Sequence, residues 1–421
     1  MISYPRRSRR RRIVVPRIAA LTTTALAGAG IPALGLMAGP ASAAPNPDCT
    51  GTVDVTCVFA ATGGATQWKV PFGVTSLTVI ADGASGADAS STFVTGGGSR
   101  GAGGEYDATL TGIRFPTTLT IDPGRAARGP RGGSNGAGGG GDSGRDSHGN
   151  TGGGGGGASI VAISPASLSS VLLVAGGGGG GSAENEATDT PGDGGTGGGS
   201  SNPSGTDGGT GTASTTNGKG GTPTMGGAGG SGPSGGCTTP AAGTRLNGGN
   251  GQTNPGRLIT CGYAGGGGGS GWFGGGGGGT GGGGGGGSAF PAGTRTVQGV
   301  VVTPQADTDT NLGDGEVTIE YTAVVNTTRL MVWSERTGLS FTLYARLTAN
   351  GQPVPSEPIS FSTGVVQWCT GEITSSSGIA SCSLTPYESA LLRSQFGVFS
   401  AYFGGDVPGA LPPATGYGVA R

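Results

Sequence analysis

Alternating hydrophobic and polar residues mark short strands along much of the chain. Residues 66–70 and 76–80 alternate on either side of Pro71-Phe72-Gly73, a pattern typical of two strands joined by a turn. Similar runs, rich in the Val, Ile, Leu and Thr of β-strands, follow at intervals. The pattern predicts further strands at residues 105–110, 118–121, 159–163, 171–175 and 316–321.

The last hundred residues carry a second series of alternating segments. Apolar residues alternate in 339–348, 359–363 and 398–403, which predicts three more strands. Cys369 and Cys382 lie almost equally far from a Ser-Ser-Gly turn, so a hairpin would bring them together. No long segment has a helical period, and the chain is therefore predicted to be all-β.

Glycine changes this picture, because the chain has 100 glycines and they concentrate between residues 96 and 287. A flexible linker is one interpretation. However, β-branched runs directly adjoin the glycine runs at 152–157 and 176–181, and a disordered linker has no need of them. Collagen is excluded because glycine shows no three-residue period. Extended helices of the polyproline II type, packed side by side where only glycine lets backbones approach, remain as the ordered alternative.

Four motifs in a fixed order carry a resemblance to a known family. They are QWKVPFGVTSLTV at 67–79, LLVAG at 172–176, a Gly-aromatic-Gly stretch at 271–279 and GDGEVTI at 313–319. In this order they resemble the glycine-rich domain family, found in the extracellular region of anaplastic lymphoma kinase and leukocyte tyrosine kinase and in many bacterial exported proteins. The resemblance implies a jelly-roll-like β-sandwich with an inserted bundle of polyglycine II helices, and cytokine binding in the kinases. No kinase signature follows in this sequence.

The resemblance places this glycine-rich domain at residues 44–325 and leaves residues 326–421 as a second domain. Segments 347–355, 378–382 and 402–406 of that second domain resemble bacterial immunoglobulin-like repeats of surface proteins. Such repeats form a β-sandwich and serve as spacers or in adhesion.

The N-terminus has the features of a signal peptide at residues 1–43. Six arginines lie ahead of a mostly apolar stretch, and Ala41-Ser42-Ala43 offers a small-residue cleavage site. Pro16 and Pro32 argue against the alternative of a membrane anchor. The sequence leaves open whether the general secretory or the twin-arginine route is used.

Cleavage would leave a secreted, acidic protein. It would remove seven of the 23 basic residues and no acidic residue, which leaves 16 basic and 24 acidic residues and a net charge of −8. This balance argues against nucleic acid as a partner. We expect no membrane span after cleavage, and the C-terminus offers no sorting signal. We therefore expect a protein that is released or held by noncovalent contacts with the envelope.

Six cysteines remain after cleavage, an even number that favours disulfides in an exported chain. The alternative is a set of buried free thiols. Spacing pairs the six residues as Cys49–Cys57, Cys237–Cys261 and Cys369–Cys382.

Few residues offer chemistry. Ser143 lies in a GDSG sequence like that of serine proteases, but the single histidine, His148, follows it in a glycine-rich loop without a strand. We therefore assign no catalytic residue and no cofactor. The one candidate metal site is a calcium loop whose alternating oxygen ligands would come from Asp307, Asp309, Asn311 and Asp314. It departs from the EF-hand pattern at both the glycine and the terminal glutamate, and a solvated acidic turn is the simpler interpretation.

These observations predict an exported, non-enzymatic structural or binding protein of the bacterial surface or its surroundings. Its expected partner is a cell-surface polymer or protein, bound through the glycine-rich domain. The alternative is an exported hydrolase whose active site is not recognisable in the sequence.

Overall fold

Twenty-two strands and one helix form the regular structure of the described residues, which confirms the all-β prediction. The computed structural model describes residues 47–62, 64–90, 97–135, 138–139, 150–183, 190–209, 216–232, 237–253, 263–307, 309–364, 366–405 and 411–420. The predicted signal peptide, the GDSG sequence with Ser143 and His148, and Cys261 lie outside these residues.

The strands of the first part of the chain are those up to residue 322. They are β1 Asp48–Thr50, β2 Asp54–Ala60, β3 Thr66–Lys69, β4 Ser76–Asp82, β5 Gly103–Thr111, β6 Thr118–Asp122, β7 Ser134–Asn135, β8 Gly138–Gly139, β9 Ser159–Ile163, β10 Val171–Ala175, β11 Arg295–Val297, β12 Val300–Pro304, β13 Thr310–Asn311 and β14 Glu316–Thr322.

The remaining elements follow residue 327. They are β15 Thr328–Thr337, β16 Ser340–Ala349, β17 Gln352–Pro353, β18 Pro358–Thr363, β19 Val366–Ile373, β20 Ile379–Ser383, α1 Pro386–Ser394, β21 Val398–Phe403 and β22 Ala414–Val419.

Two antiparallel sheets of the first part share one hydrophobic core. The larger sheet has the order β1-β2-β14-β4-β5-β12-β11, with β13 also paired to β5, and the smaller has the order β10-β9-β6-β3. Side chains of alternate residues from both sheets, such as Val79, Ile319 and Leu119, are completely buried in the same cluster. Burial of one face of each sheet therefore explains why the apolar residues alternate.

The C-terminal residues form two further sheets around a second core. One sheet joins β15, β16, β17 and β20, and the other has the order β19-β18-β21-β22. Phe341, Phe361 and Phe399 from both sheets are almost fully buried in this core. Phe72 and Phe115 of the first part pack against it, so the two parts are in contact.

Two disulfides tie strands together in the described residues. Cys49–Cys57 joins the neighbouring strands β1 and β2. Cys369–Cys382 joins β19 to β20, but these strands belong to different sheets, so the predicted hairpin is wrong. The register explains the difference, since β19 pairs with β18 and β20 pairs with β16. Cys237 is also disulfide-bonded. Disulfides persist in oxidising compartments, which indicates a location other than the cytoplasm.

The glycine segments are held by hydrogen bonds to one another. In residues 176–183 the first, fourth and seventh N–H groups donate to segment 192–198, and the second, fifth and eighth donate to segment 264–270. The third and sixth donate to segment 84–87, and the N···O distances are 2.8–3.1 Å throughout. Partners thus repeat every three residues, which is the period of a polyproline II helix.

The carbonyl groups of the same segment complete the pattern. They accept N–H groups from segments 98–104, 153–156 and 284–287 at 2.7–2.9 Å. Residues 176–182 therefore have every backbone N–H and C=O bonded, to six surrounding segments, while the whole segment is buried. A linker would leave these groups to water, so the linker interpretation does not fit.

The long glycine runs at 271–290 belong to the same network, and their aromatic ends meet. Trp272 stacks on Phe290 with ring centroids 4.0 Å apart, and the Arg245 guanidinium lies 4.3 Å from the Trp272 ring. Between these anchors, Gly276 donates to Lys219 O and Gly287 donates to Gly177 O.

Candidate binding faces

Exposed aromatic side chains are confined to the C-terminal part of the described chain. Tyr387, Phe396, Tyr402 and Tyr417 are 50–91% exposed, whereas Trp68 and Trp272 of the first part are 6% exposed. Large exposed aromatic groups are unfavourable in water and frequent at binding sites. The C-terminal part of the chain is therefore the candidate region for a binding surface.

One uncharged face lies on the outer side of strands β18, β21 and β22. The inward residues of β21, Phe399, Ala401 and Phe403, are buried, so the alternate residues point outward. We call the outward set the tyrosine face, and it consists of Ser360, Ser362, Val398, Ser400, Tyr402, Thr415, Tyr417 and Val419.

Cross-strand register arranges the tyrosine face in rows. Tyr402 lies opposite Thr415, and Ser400 lies opposite Tyr417. The two tyrosines are therefore diagonal neighbours on adjacent strands, a position at which the backbones of the two residues are about 7–8 Å apart. Ser362 lies opposite Ser400, and their hydroxyl groups share a hydrogen bond of 3.1 Å between strands β18 and β21. None of the eight positions carries a charged side chain.

Phe396 immediately precedes this face and has an unusual backbone. It follows the C-cap residue Gln395 of α1, has φ of 66° and is 91% exposed. Helices commonly place Gly or Asn at this position, because a side chain with a Cβ is disfavoured in the left-handed region. Phe396 thus combines backbone strain with an exposed aromatic ring.

The other C-terminal sheet presents a face of different chemistry. Trp333 of β15 stacks on Tyr344 of β16, with centroids 5.3 Å apart and planes at 11°. Arg346 of β16 lies opposite Met331 of β15, and Arg329 lies two residues before Met331 on β15. We call these five residues the arginine-tryptophan face. Among the described residues, neither arginine forms an ion pair.

A row of carboxylates crosses the larger sheet of the first part. Glu316, Asp82 and Glu105 lie directly opposite one another on β14, β4 and β5. Burial, and then the neighbouring carboxylates, raise the pKa of Glu105 from 4.5 to about 8. The same two causes raise the pKa of Asp107, two residues along β5, to about 6. These groups repel one another, so the row costs stability when it is ionised.

The residues of the candidate calcium loop are engaged in other contacts. Asp307 accepts the hydroxyl of Ser200 at 2.7 Å, and Asp314 accepts the N–H of Ala126 at 2.8 Å. The Asn311 side chain donates to Asp314 O at 2.7 Å. Across the part of the chain that the structure describes, no group of three or more His, Cys, Asp or Glu residues is placed to hold a metal ion. Asp309 lies near Glu105 and contributes to its raised pKa.

A groove of about 490 Å³ opens on the same large sheet. Asp54, Thr78 and Glu320 line it, together with residues 73–76 and 321–322 and Val324. Glu105 and Asp107 do not line this groove. This groove and the carboxyl groups with raised pKa values therefore do not coincide.

Comparison of the chain with known protein families finds no matching family model. Comparison with curated proteins also finds no match. Within the described residues, no helix is long and apolar enough to cross a membrane.

Proposed function

We propose that the protein is an exported, non-enzymatic binding protein that acts at the bacterial surface or outside the cell. The observation that carries this proposal is that, among the described residues, the exposed aromatic side chains are confined to the C-terminal part of the chain. Aromatic residues bring a large apolar area and a hydrogen-bonding group to an interface, and they are enriched where partners bind. The expected partner is a cell-surface polymer or protein.

The glycine-rich part is proposed to serve as a rigid support rather than as the binding surface. This departs from the expectation that the partner binds there. Its central segment, residues 176–182, is buried, and every backbone N–H and C=O group of that segment is bonded to a neighbouring segment, which leaves none of these groups for a ligand. We interpret residues 44–325 as one domain, in which the glycine network forms polyglycine II helices inserted into a β-sandwich.

Sedimentation with bacterial envelopes tests the proposed function. The full mature chain should co-sediment with envelope material and leave the material chemically unchanged. A variant with Tyr402→Ser, Tyr417→Ser and Trp333→Ser removes both tyrosines of the tyrosine face and the tryptophan of the arginine-tryptophan face, and it should remain in the supernatant. Failure of the unaltered chain to co-sediment would contradict the binding function.

A second candidate is a hydrolase, and one observation favours it. A carboxyl group with a pKa of about 8 is protonated at neutral pH, and Asp107 beside it is largely ionised. Glycosidases use one protonated and one ionised carboxyl group in this way. Release of reducing sugars from envelope polysaccharide, lost in Glu105→Gln, would support the hydrolase and overturn the non-enzymatic proposal.

A further inference from the structure

We propose that the tyrosine face, together with Phe396, binds a neutral polysaccharide chain. This inference rests on the proposed binding function and names its partner class. It draws on three features of the surface: its lack of charge, its small size and the strained exposed ring at its edge.

The chemistry of the tyrosine face suits a neutral, hydroxyl-rich ligand. Its eight positions hold two tyrosines, three serines, one threonine and two valines, with no charged side chain. The aromatic rings of Tyr402 and Tyr417 can cover the apolar faces of sugar rings, while serine and threonine hydroxyls both donate and accept hydrogen bonds. An anionic polymer would find no cationic side chain to pair with on this face, and the net negative charge of the protein would repel it.

The dimensions of the tyrosine face fit a single polymer chain better than a folded protein. Three strands about 4.8 Å apart and a run of five residues about 14 Å long define an area of about 200 Å². A stable protein interface needs about 800 Å² on each partner. A narrow linear polymer can contact both tyrosines at once within this area.

Phe396 is the strongest sign that this edge of the domain contacts a ligand. Asn or Gly would relieve the strained backbone at φ 66°, and a polar residue would avoid exposing a ring that is 91% accessible. The ring is not part of either large core. Residues that are unfavourable for stability in this way cluster at functional sites.

Affinity electrophoresis of the full mature chain tests the inference. Soluble neutral glucan, mannan and galactan are the probes, and polygalacturonate is the anionic comparison. We expect at least one neutral polymer to retard the protein, with little change when salt is raised. Tyr402→Ala with Tyr417→Ala should weaken this binding at least tenfold. Tyr387→Ala, which alters an equally exposed tyrosine on α1, should not change it.

Phe396→Asn separates a binding role from a structural one. It should weaken polysaccharide binding while raising the melting temperature, since Asn tolerates the left-handed region. Retardation by polygalacturonate alone, or by none of the neutral polymers, would overturn the inference. So would unchanged binding in the double tyrosine variant, or loss of binding in Trp333→Ala instead. Each of these outcomes leaves the proposed function standing if the chain still co-sediments with envelopes.

Discussion

Gly180→Ala should destabilise the glycine network strongly, although it adds a single methyl group. A Cβ at this position would lie 1.9 Å from Gly153 O, and real Cβ contacts do not fall below 3.0 Å. Segments 153–156 and 176–183 would have to separate by about 1 Å, beyond hydrogen-bonding distance. Two bonds would then be lost, from Gly153 to Gly181 and from Gly156 to Gly178, now 2.8 and 2.7 Å.

The expected cost follows from these two bonds. Each leaves buried backbone groups unsatisfied, at about 1–3 kcal/mol per bond, and the lower entropy of unfolded alanine returns about 0.4–1 kcal/mol. The net loss in the free energy of unfolding is about 2–5 kcal/mol, or roughly 10 °C in melting temperature for a domain of this size.

Urea unfolding followed by tryptophan fluorescence measures the effect, because Trp272 is buried beside the glycine segments. Gly293→Ala is the matched control, since an added Cβ there would meet no atom within 4 Å. Equal midpoints for Gly180→Ala and Gly293→Ala would refute the close packing on which the argument depends.

Three further predictions concern charges and a disulfide. Because the pKa of Glu105 is raised when folded, stability should fall as pH rises from about 4.5 to about 8. In urea titrations, Glu105→Gln should therefore have the same free energy of unfolding as the wild type at pH 4. At pH 8 its free energy of unfolding should be about 1 kcal/mol higher than that of the wild type. Replacing Cys369 and Cys382 by serine should cost about 3 kcal/mol, and equal calorimetric transitions in both proteins would contradict this. Lys69→Met removes the lysine paired with Glu357, which is 5% exposed, and should lower stability by about 1–3 kcal/mol at pH 7 and less at pH 4.

Much of the strand content could be predicted because burial of one sheet face imposes a period of two on the sequence. The strands predicted at 159–163, 171–175 and 398–403 have the observed bounds. Other elements carried weaker signals. β22 places Gly416 and Gly418 on its inward face, so no apolar alternation marks it. The helix α1 spans nine residues, and its local signals are the capping box of Thr385 and Glu388 and the proline at its first position, Pro386.

The binding faces could not be predicted, because they depend on which strands become neighbours. Tyr402 and Tyr417 are fifteen residues apart in sequence, and only the pairing of β21 with β22 brings them together. The carboxylate row likewise joins Glu316 to Asp82 and Glu105 from three distant segments. The left-handed backbone of Phe396 could not be predicted, because Phe rarely occurs in this conformation and Gly or Asn is the usual sequence signal for it. The spacing of the candidate calcium loop predicted a site from sequence alone, but it did not reveal that the side chains of this loop bind neighbouring backbone groups.

The hydrogen-bond pattern of the glycine segments also determines when this part of the protein can fold during synthesis. Residues 176–183 are bonded both to segment 84–87 and to segment 284–287, so their full set of hydrogen bonds is complete only after the roughly 200 residues between these two segments have been made. At about 5–20 residues per second this takes roughly 10–40 s. Contacts between such distant residues also make folding slow. During that interval residues 176–183 lack the hydrogen bonds from segment 284–287, so the buried centre of the glycine network stays incomplete until that segment has been made.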